Sequence, residues 1–175
     1  MTTDLAAPQV QEILTRSGKT IAVRTVTLAD EPLLEEFFDR VSDEDRRFRF
    51  LSAHKHVGHN QLAPMVEVDH FRTESFIAFD EASGTVIGHA LLACDNPLDT
   101  GEIAVSVCSN WRGQGVGWAL LDVLAKAAQD RGLRRVISLE ERENHAAIEL
   151  EREKGFVPHG VEGEPTLVML EKILR

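Results

Sequence analysis

Between Gly101 and Asp130 a β-branched, apolar run passes through the turn Arg112-Gly113-Gln114-Gly115-Val116-Gly117 and enters an amphipathic stretch without a spacer. Leu120, Leu121, Leu124, Ala127 and Ala128 recur at helical spacing, and Gly132 stands where a helix C-terminus favours glycine. A strand, a glycine turn and a helix in direct succession leave backbone N–H groups free at the positive end of a helix dipole. Three glycines let an anion approach that backbone closely, and Arg112 adds a forked cation suited to a diphosphate. Two familiar phosphate loops do not fit. The turn runs on into Trp118-Ala119 rather than Lys-Ser/Thr, and a dinucleotide fingerprint would need glycine at position 118. The alternative is a glycine turn that only reverses the chain.

The 175-residue sequence as a whole supports one α+β domain. Val10–Thr15 and Thr20–Thr27 read as two strands joined by Arg16-Ser17-Gly18-Lys19, with residues 1–18 as an N-terminal extension plus first hairpin strand and 19–175 as the domain. Asp30 before Pro32 predicts an N-cap for a helix carrying Leu33, Leu34, Phe37 and Phe38. Ser42-Asp43-Glu44-Asp45 predicts the cap of a second helix, and residues 60–66 a short third one containing Pro64. Ser75–Asp80, Thr85–Cys94 and Gly101–Cys108 form an antiparallel meander; Arg135–Leu139 and Thr166–Ile173 are later strands around a helix at Asn144–Lys154.

Nineteen basic and 29 acidic side chains leave a net charge of −10, a field that repels nucleic acid and favours cationic substrates. Cys94 and Cys108 lack CxxC spacing and lie in apolar runs, as buried thiols of a reducing compartment do. Residues 1–18 include Asp4, Gln9, Gln11, Glu12 and Arg16, so no secretory h-region is present. No stretch approaches the roughly 18 apolar residues of a membrane span. A cytoplasmic protein without membrane contact is the expectation.

Arg112-Gly-Gln-Gly115-Val-Gly117 resembles the R/Q-x-x-G-x-G/A pyrophosphate loop of the GNAT superfamily of acyl-CoA N-acyltransferases. Asn144, Ala147, Gly155 and Phe156 are similar to that family's N-x-x-A…GF helix-to-strand element. Arg24, Arg47-Phe48-Arg49-Phe50, Val68-Asp69-His70 and the strand starting at Glu102 resemble, more narrowly, the acetyltransferase domain of bacterial protein-lysine acetyltransferases. The resemblance covers about residues 20–173. It implies a GNAT-type fold, a central mixed, mostly antiparallel sheet flanked by helices, with acetyl-CoA as cosubstrate and no metal. The pantetheine arm would pair with the strand around Val105 and Val107. The diphosphate would lie on the turn formed by Arg112, Gly113, Gln114, Gly115, Val116, Gly117 and Trp118, and Asn144 would touch the cofactor arm. The acceptor implied is a primary amine, on a protein lysine or a small molecule, and many members of the family form homodimers.

A lysine-like amine has a pKa near 10.4, so presenting it neutral at pH 7 costs about 4.6 kcal/mol, and a base is valuable. Glu102, at the start of the cofactor strand, matches the general-base glutamate of the lysine-acetylating branch; the alternative is a solvated strand-end carboxylate. Family members often use a tyrosine four residues before the Gly-Phe pair to protonate the leaving thiolate. This chain has Glu151 there and no tyrosine, and a carboxyl serves as an acid only if burial raises its pKa. Cys108 reads as a structural thiol rather than a nucleophile. His54, His56 and His59 read as a polar loop rather than a metal set, and as a segment that can take part in acceptor recognition. Arg46, Arg47 and Arg49 could steer an acidic ligand or the cofactor's phosphates, but pairing with Asp43, Glu44 and Asp45 is the more economical reading; Glu140–Glu143 read as a solvated loop, with attraction of a cationic acceptor as the alternative. Direct acetyl transfer to an amine is the leading function. A catalytically silent acyl-CoA-binding regulatory module is the alternative, and acylation of a hydroxyl a third.

Overall fold

The computed structural model describes residues 8–51 and 55–175. Eight strands form one sheet: β1 (Gln11–Leu14), β2 (Thr20–Thr25), β3 (Thr73–Asp80), β4 (Val86–Cys94), β5 (Thr100–Val107), β6 (Arg135–Glu141), β7 (Val157–Gly160) and β8 (Leu167–Ile173). Their order is β1-β2-β3-β4-β5-β6-β8-β7, antiparallel throughout except for the parallel β5–β6 pair. Among the described residues the five α-helices are α1 (Glu31–Asp39), α2 (Asp43–Phe50), α3 (His59–Val66), α4 (Val116–Asp130) and α5 (His145–Glu153). His54 falls outside the described residues.

The hairpin, the meander and the late crossover stand where periodicity places them. A parallel pair needs a long connection, and α4 supplies it between β5 and β6. Its stripe of Val116, Ala119, Leu120, Leu121, Leu124, Ala127 and Ala128 is buried against the sheet. Gly88 on β4 makes this contact close: a Cβ there would lie 2.9 Å from Leu120 Cδ1.

The chain departs from its sequence expectations at several points. Asp30 does not cap α1 with its side chain; its carboxylate instead accepts from the Thr27 N–H at 2.7 Å and from both terminal nitrogens of Arg24 at 2.7 and 2.9 Å. A bidentate cation outcompetes the helix amides. Ser42 does cap α2, accepting from the Asp45 N–H at 3.1 Å. β7 is not visible in the sequence pattern, because its four residues, Pro158 among them, are all exposed and the strand pairs only with β8. His59 opens α3 and contacts Glu31, while His56 bridges Glu35 and Asp39 at 3.1 Å each, so both are tied to α1 rather than sitting in a free loop.

Candidate active site

The parallel pairing of β5 with β6 lasts three residues, Thr100, Gly101 and Glu102 against Arg135, Val136 and Ile137. Beyond that, β5 follows β4 as far as Val107 and β6 follows β8 as far as Glu141, so the two strands part. A cavity of about 380 Å³ fills the wedge, lined by Glu102–Val107 on β5, Leu139 and Glu140 on β6, Asn144, Ala147, Leu150 and Glu151 around α5, and Arg112, Gly113 and Gly115–Trp118 at the glycine turn. Of the residues anticipated as cofactor-binding, only Gln114 is absent from the lining; its side chain donates to the Asn110 carbonyl at 3.0 Å.

The glycine turn is built to keep its amides open. Gly113 and Gly115 have φ of +73° and +84°, a region that costs other L-residues about 1–2 kcal/mol. Among the described residues the N–H groups of 113–118 form no hydrogen bond to a protein acceptor. They stand at the N-terminus of α4, where they suit an anion. Gly117 serves packing: a Cβ there would lie 3.0 Å from Leu150 Cδ2, so its absence lets α4 approach α5. Asn144 caps α5 by accepting from the Ala147 N–H and donates to Glu140 Oε2 at 3.1 Å.

At the other end of the wedge three carboxyl groups gather. Glu102 is exposed on the lining. Glu140 is not in a solvated loop but on β6, half-buried; Glu140 and Glu141 both lie within that strand. Glu151 is 6% exposed and accepts from the Ser138 hydroxyl at 2.7 Å. Burial, then the neighbouring Glu140 carboxyl, pushes Glu151 up to about 9, and burial also raises Glu140. Glu151 is therefore held protonated at neutral pH, the condition under which a carboxyl can donate a proton.

Arg49 corrects another expectation. Arg46 does pair with Asp43, but Arg47 reaches Glu143 at 3.4 Å, and Arg49 turns into the cavity, where its charge faces Glu102 and Glu140. Burial lowers its pKa against the pull of those two carboxylates. Sequence reasoning missed Arg49 and Glu140, since only the docking of α2 beside β5 brings them together. Behind this cluster His89 is fully buried, its Nε2 2.7 Å from Ser75 Oγ, and burial together with Arg49 depresses it to about 3. Cys108 lies outside the cavity lining, its Sγ donating to Asn110 Oδ1 at 3.2 Å, and burial pushes the thiol up. That is a structural thiol.

The chain and its fold have counterparts in known proteins. The chain is 25% identical over 142 residues to "Acetyltransferase PA5475" of Pseudomonas aeruginosa, covering 80% of this chain and 76% of that protein. The crystal structure of the GNAT domain of S. lividans PAT superposes with a TM-score of 0.87 at 25% identity, over 94% of this chain and 97% of that one. A cAMP-binding acyltransferase from Mycobacterium smegmatis shares the fold, with a TM-score of 0.66 at 23% identity, over 96% of this chain but 48% of that one. Residues 30–156 match the family described as Acetyltransferase (GNAT) family. With a splayed parallel pair, open amides at the head of α4 and a family match spanning most of the domain, the chain belongs to the GNAT family and is an acyl-CoA-dependent N-acyltransferase.

Proposed function

We propose that the enzyme transfers an acetyl group from acetyl-CoA to a primary amine, on a protein lysine or a small molecule, by direct attack. The carrying observation is the continuity of the wedge, which runs from unpaired loop amides at one end to Glu102, Glu140 and Glu151 at the other. The amides of 113–118 and Arg112 would hold the diphosphate, and the unpaired edge of β5 around Val105 and Val107 the pantetheine arm. Such positioning supplies much of the rate in a bimolecular transfer.

Glu102 is the base in this reading. It takes a proton from the attacking ammonium, directly or through water, and the amine nitrogen then forms its bond to the thioester carbon. The C–S bond breaks, the proton held on Glu151 passes to the departing sulfur, and the second nitrogen proton leaves to water, giving neutral amide and free thiol; Glu102 then loses its proton to solvent and Glu151 regains one, for a net release of one proton. Cys108, buried away from the wedge, supports transfer without an acyl-enzyme. The net charge of −10 and the exposed Glu102 carboxylate on the cavity lining suit a cationic acceptor.

The test is Glu102→Gln assayed by thiol release over a panel of amines and lysine peptides, with acetyl-CoA affinity measured beside it. Turnover is expected to fall by about 10²–10⁴ with affinity retained. A wild-type protein that binds acetyl-CoA but acylates nothing would favour a regulatory binding module, and a product acylated on oxygen would overturn the amine assignment.

A further inference from the structure

In a chain of net charge −10, four cations collect around one glycine turn: Arg16, Lys19, Arg112 and Lys154. The two tryptophans that flank the turn gather three of them. Lys19 Nζ lies 4.7 Å from the ring centre of Trp111, and Trp118 has the Arg16 guanidinium at 4.0 Å and Lys154 Nζ at 3.9 Å. A local field opposite to the overall charge marks a place prepared for an anion.

Arg16 and Lys19 come from the β1–β2 turn, which is clamped to the glycine turn. The Ser17 hydroxyl donates to the Gln114 carbonyl at 2.5 Å. A Cβ on Gly115 would lie 3.2 Å from both Arg16 Cγ and Thr15 Cβ. The β1–β2 turn closes on itself through Thr15 N–H to the Lys19 carbonyl at 2.7 Å and Gly18 N–H to the Thr15 carbonyl at 2.9 Å.

The four cations are neutralised unevenly. Lys154 is nearly buried, 2.5 Å from Asp122, and Arg112 is 3.3 Å from Asp45. Arg16 meets Glu153 at 3.6 Å with side chains 52% and 48% exposed, a pairing of little strength. Arg16 lines the cavity as well, and it lies over Trp118 in the first turn of α4, past the amides that would take a diphosphate. A guanidinium stacked on an indole keeps its edge donors available for a phosphate.

We propose that the β1–β2 turn is a second phosphate subsite, in which Arg16 holds the ribose phosphomonoester of the CoA nucleotide. The proposal rests on the acyl-CoA reading of the cavity and adds a determinant that tells CoA from its dephosphorylated form.

Calorimetry with acetyl-CoA and acetyl-3′-dephospho-CoA, on wild type and Arg16→Ala, tests it. Wild type is expected to prefer the phosphorylated donor by about tenfold or more, and Arg16→Ala to lose about tenfold toward acetyl-CoA with less than about twofold change toward the dephospho form. Equal binding of the two donors by wild type, or equal losses in the variant, overturns the subsite while leaving the acyl-CoA site intact. Binding of neither donor refutes the acyl-CoA reading itself. Should Arg16→Ala fail to fold, Glu153→Gln removes the competing carboxylate and is expected to raise the preference; an unchanged or lower preference overturns the subsite.

Discussion

The carboxyl groups of Glu140 and Glu151 face each other across the seam between β6 and α5, one supported by the Asn144 amide at 3.1 Å and the other by the Ser138 hydroxyl at 2.7 Å. A buried carboxyl in such contact with a half-buried one favours keeping a proton between them at neutral pH, because a second negative charge there would be poorly solvated and set beside the first. The groups facing this pair are Arg49 of α2, set against Glu140, and Glu102 of β5, which shares Arg49.

A proton donor of this kind sets the alkaline limb of the rate. If Glu151 protonates the leaving thiolate, kcat declines as pH rises through about 9, where Glu151 ionises. Glu151→Gln is expected to lower kcat by about 10²-fold and to abolish that limb while acetyl-CoA affinity holds. Glu140→Gln removes the opposing carboxylate, so the limb should move to lower pH. A kcat–pH profile on all three proteins checks this, and a limb unmoved in Glu140→Gln would separate the pair from the rate.

The same proton reports on stability. Glu151 is raised from 4.5 to about 9 in the fold, so its contribution is complete below 4.5 and is lost as pH rises toward 9, where the unfolded chain has already given up its proton. The slope from one such group is at most about 1.4 kcal/mol per pH unit. Urea midpoints of wild type should therefore fall between pH 5 and 9 more steeply than those of Glu151→Gln.

His89 predicts the opposite sign on the acid side. Burial, with Arg49 adding to it, lowers the imidazole from 6.5 to about 3, so the unfolded chain binds a proton that the native state refuses, and stability is lost as pH falls through that window. His89→Gln retains a polar group for Ser75 but cannot titrate. Its denaturation midpoint is expected to be lower at pH 7, by about 1–2 kcal/mol in free energy, yet to change less between pH 6.5 and 4 than wild type. Parallel curves would dissociate His89 from acid sensitivity.

What the sequence disclosed follows from how far apart the cooperating residues lie. The glycine turn, the stripe of α4 and the Asn144 cap are contiguous patterns, so spacing alone predicts their structure. Arg49 reads as a partner of its helical neighbours because the carboxylates it faces, Glu102 and Glu140, are remote in sequence. Glu140 reads as part of a charged loop until the continuation of β6 beside β8 draws it inward. Asp30 precedes a helix as an N-cap does, and only the β2 register reveals that Arg24 claims it. Glu151 was legible as a conditional statement about burial, and the fold meets the condition.

Arg24 and Asp30 form the best-defined ion pair outside the wedge, with side chains 19% and 5% exposed. Burial would raise the Asp30 carboxyl, but the hydrogen bonds from Arg24 and the Thr27 N–H outweigh it and hold the group below its ordinary value. Its stabilisation is present above that ordinary value and is lost as pH falls through the depressed one. Asp30→Asn leaves a largely buried guanidinium without a counter-charge and is expected to cost about 3–5 kcal/mol in chemical denaturation. Adding Arg24→Met should recover part of that loss; additive losses in the double-mutant cycle would refute the coupling.

The two positive-φ glycines of the turn at the head of α4 separate backbone strain from loop docking. Gly113, at φ +73°, has nothing within 4 Å of where a Cβ would stand, so Gly113→Ala meets only the conformational cost of about 1–2 kcal/mol. Gly115, at φ +84°, faces Thr15 Cβ and Arg16 Cγ at 3.2 Å and the Arg16 backbone nitrogen at 3.4 Å. Because Thr15 Cβ is fixed to its backbone and must give by a few tenths of an ångström along with Arg16 Cγ, Gly115→Ala presses on the β1–β2 turn as well as straining its own φ. It is expected to cost more stability than Gly113→Ala, by about 1–3 kcal/mol, and to weaken acetyl-CoA binding. Thermal denaturation with calorimetric titration of both variants decides the matter, since equal stability losses would mean that the turn yields freely and does not brace the amides.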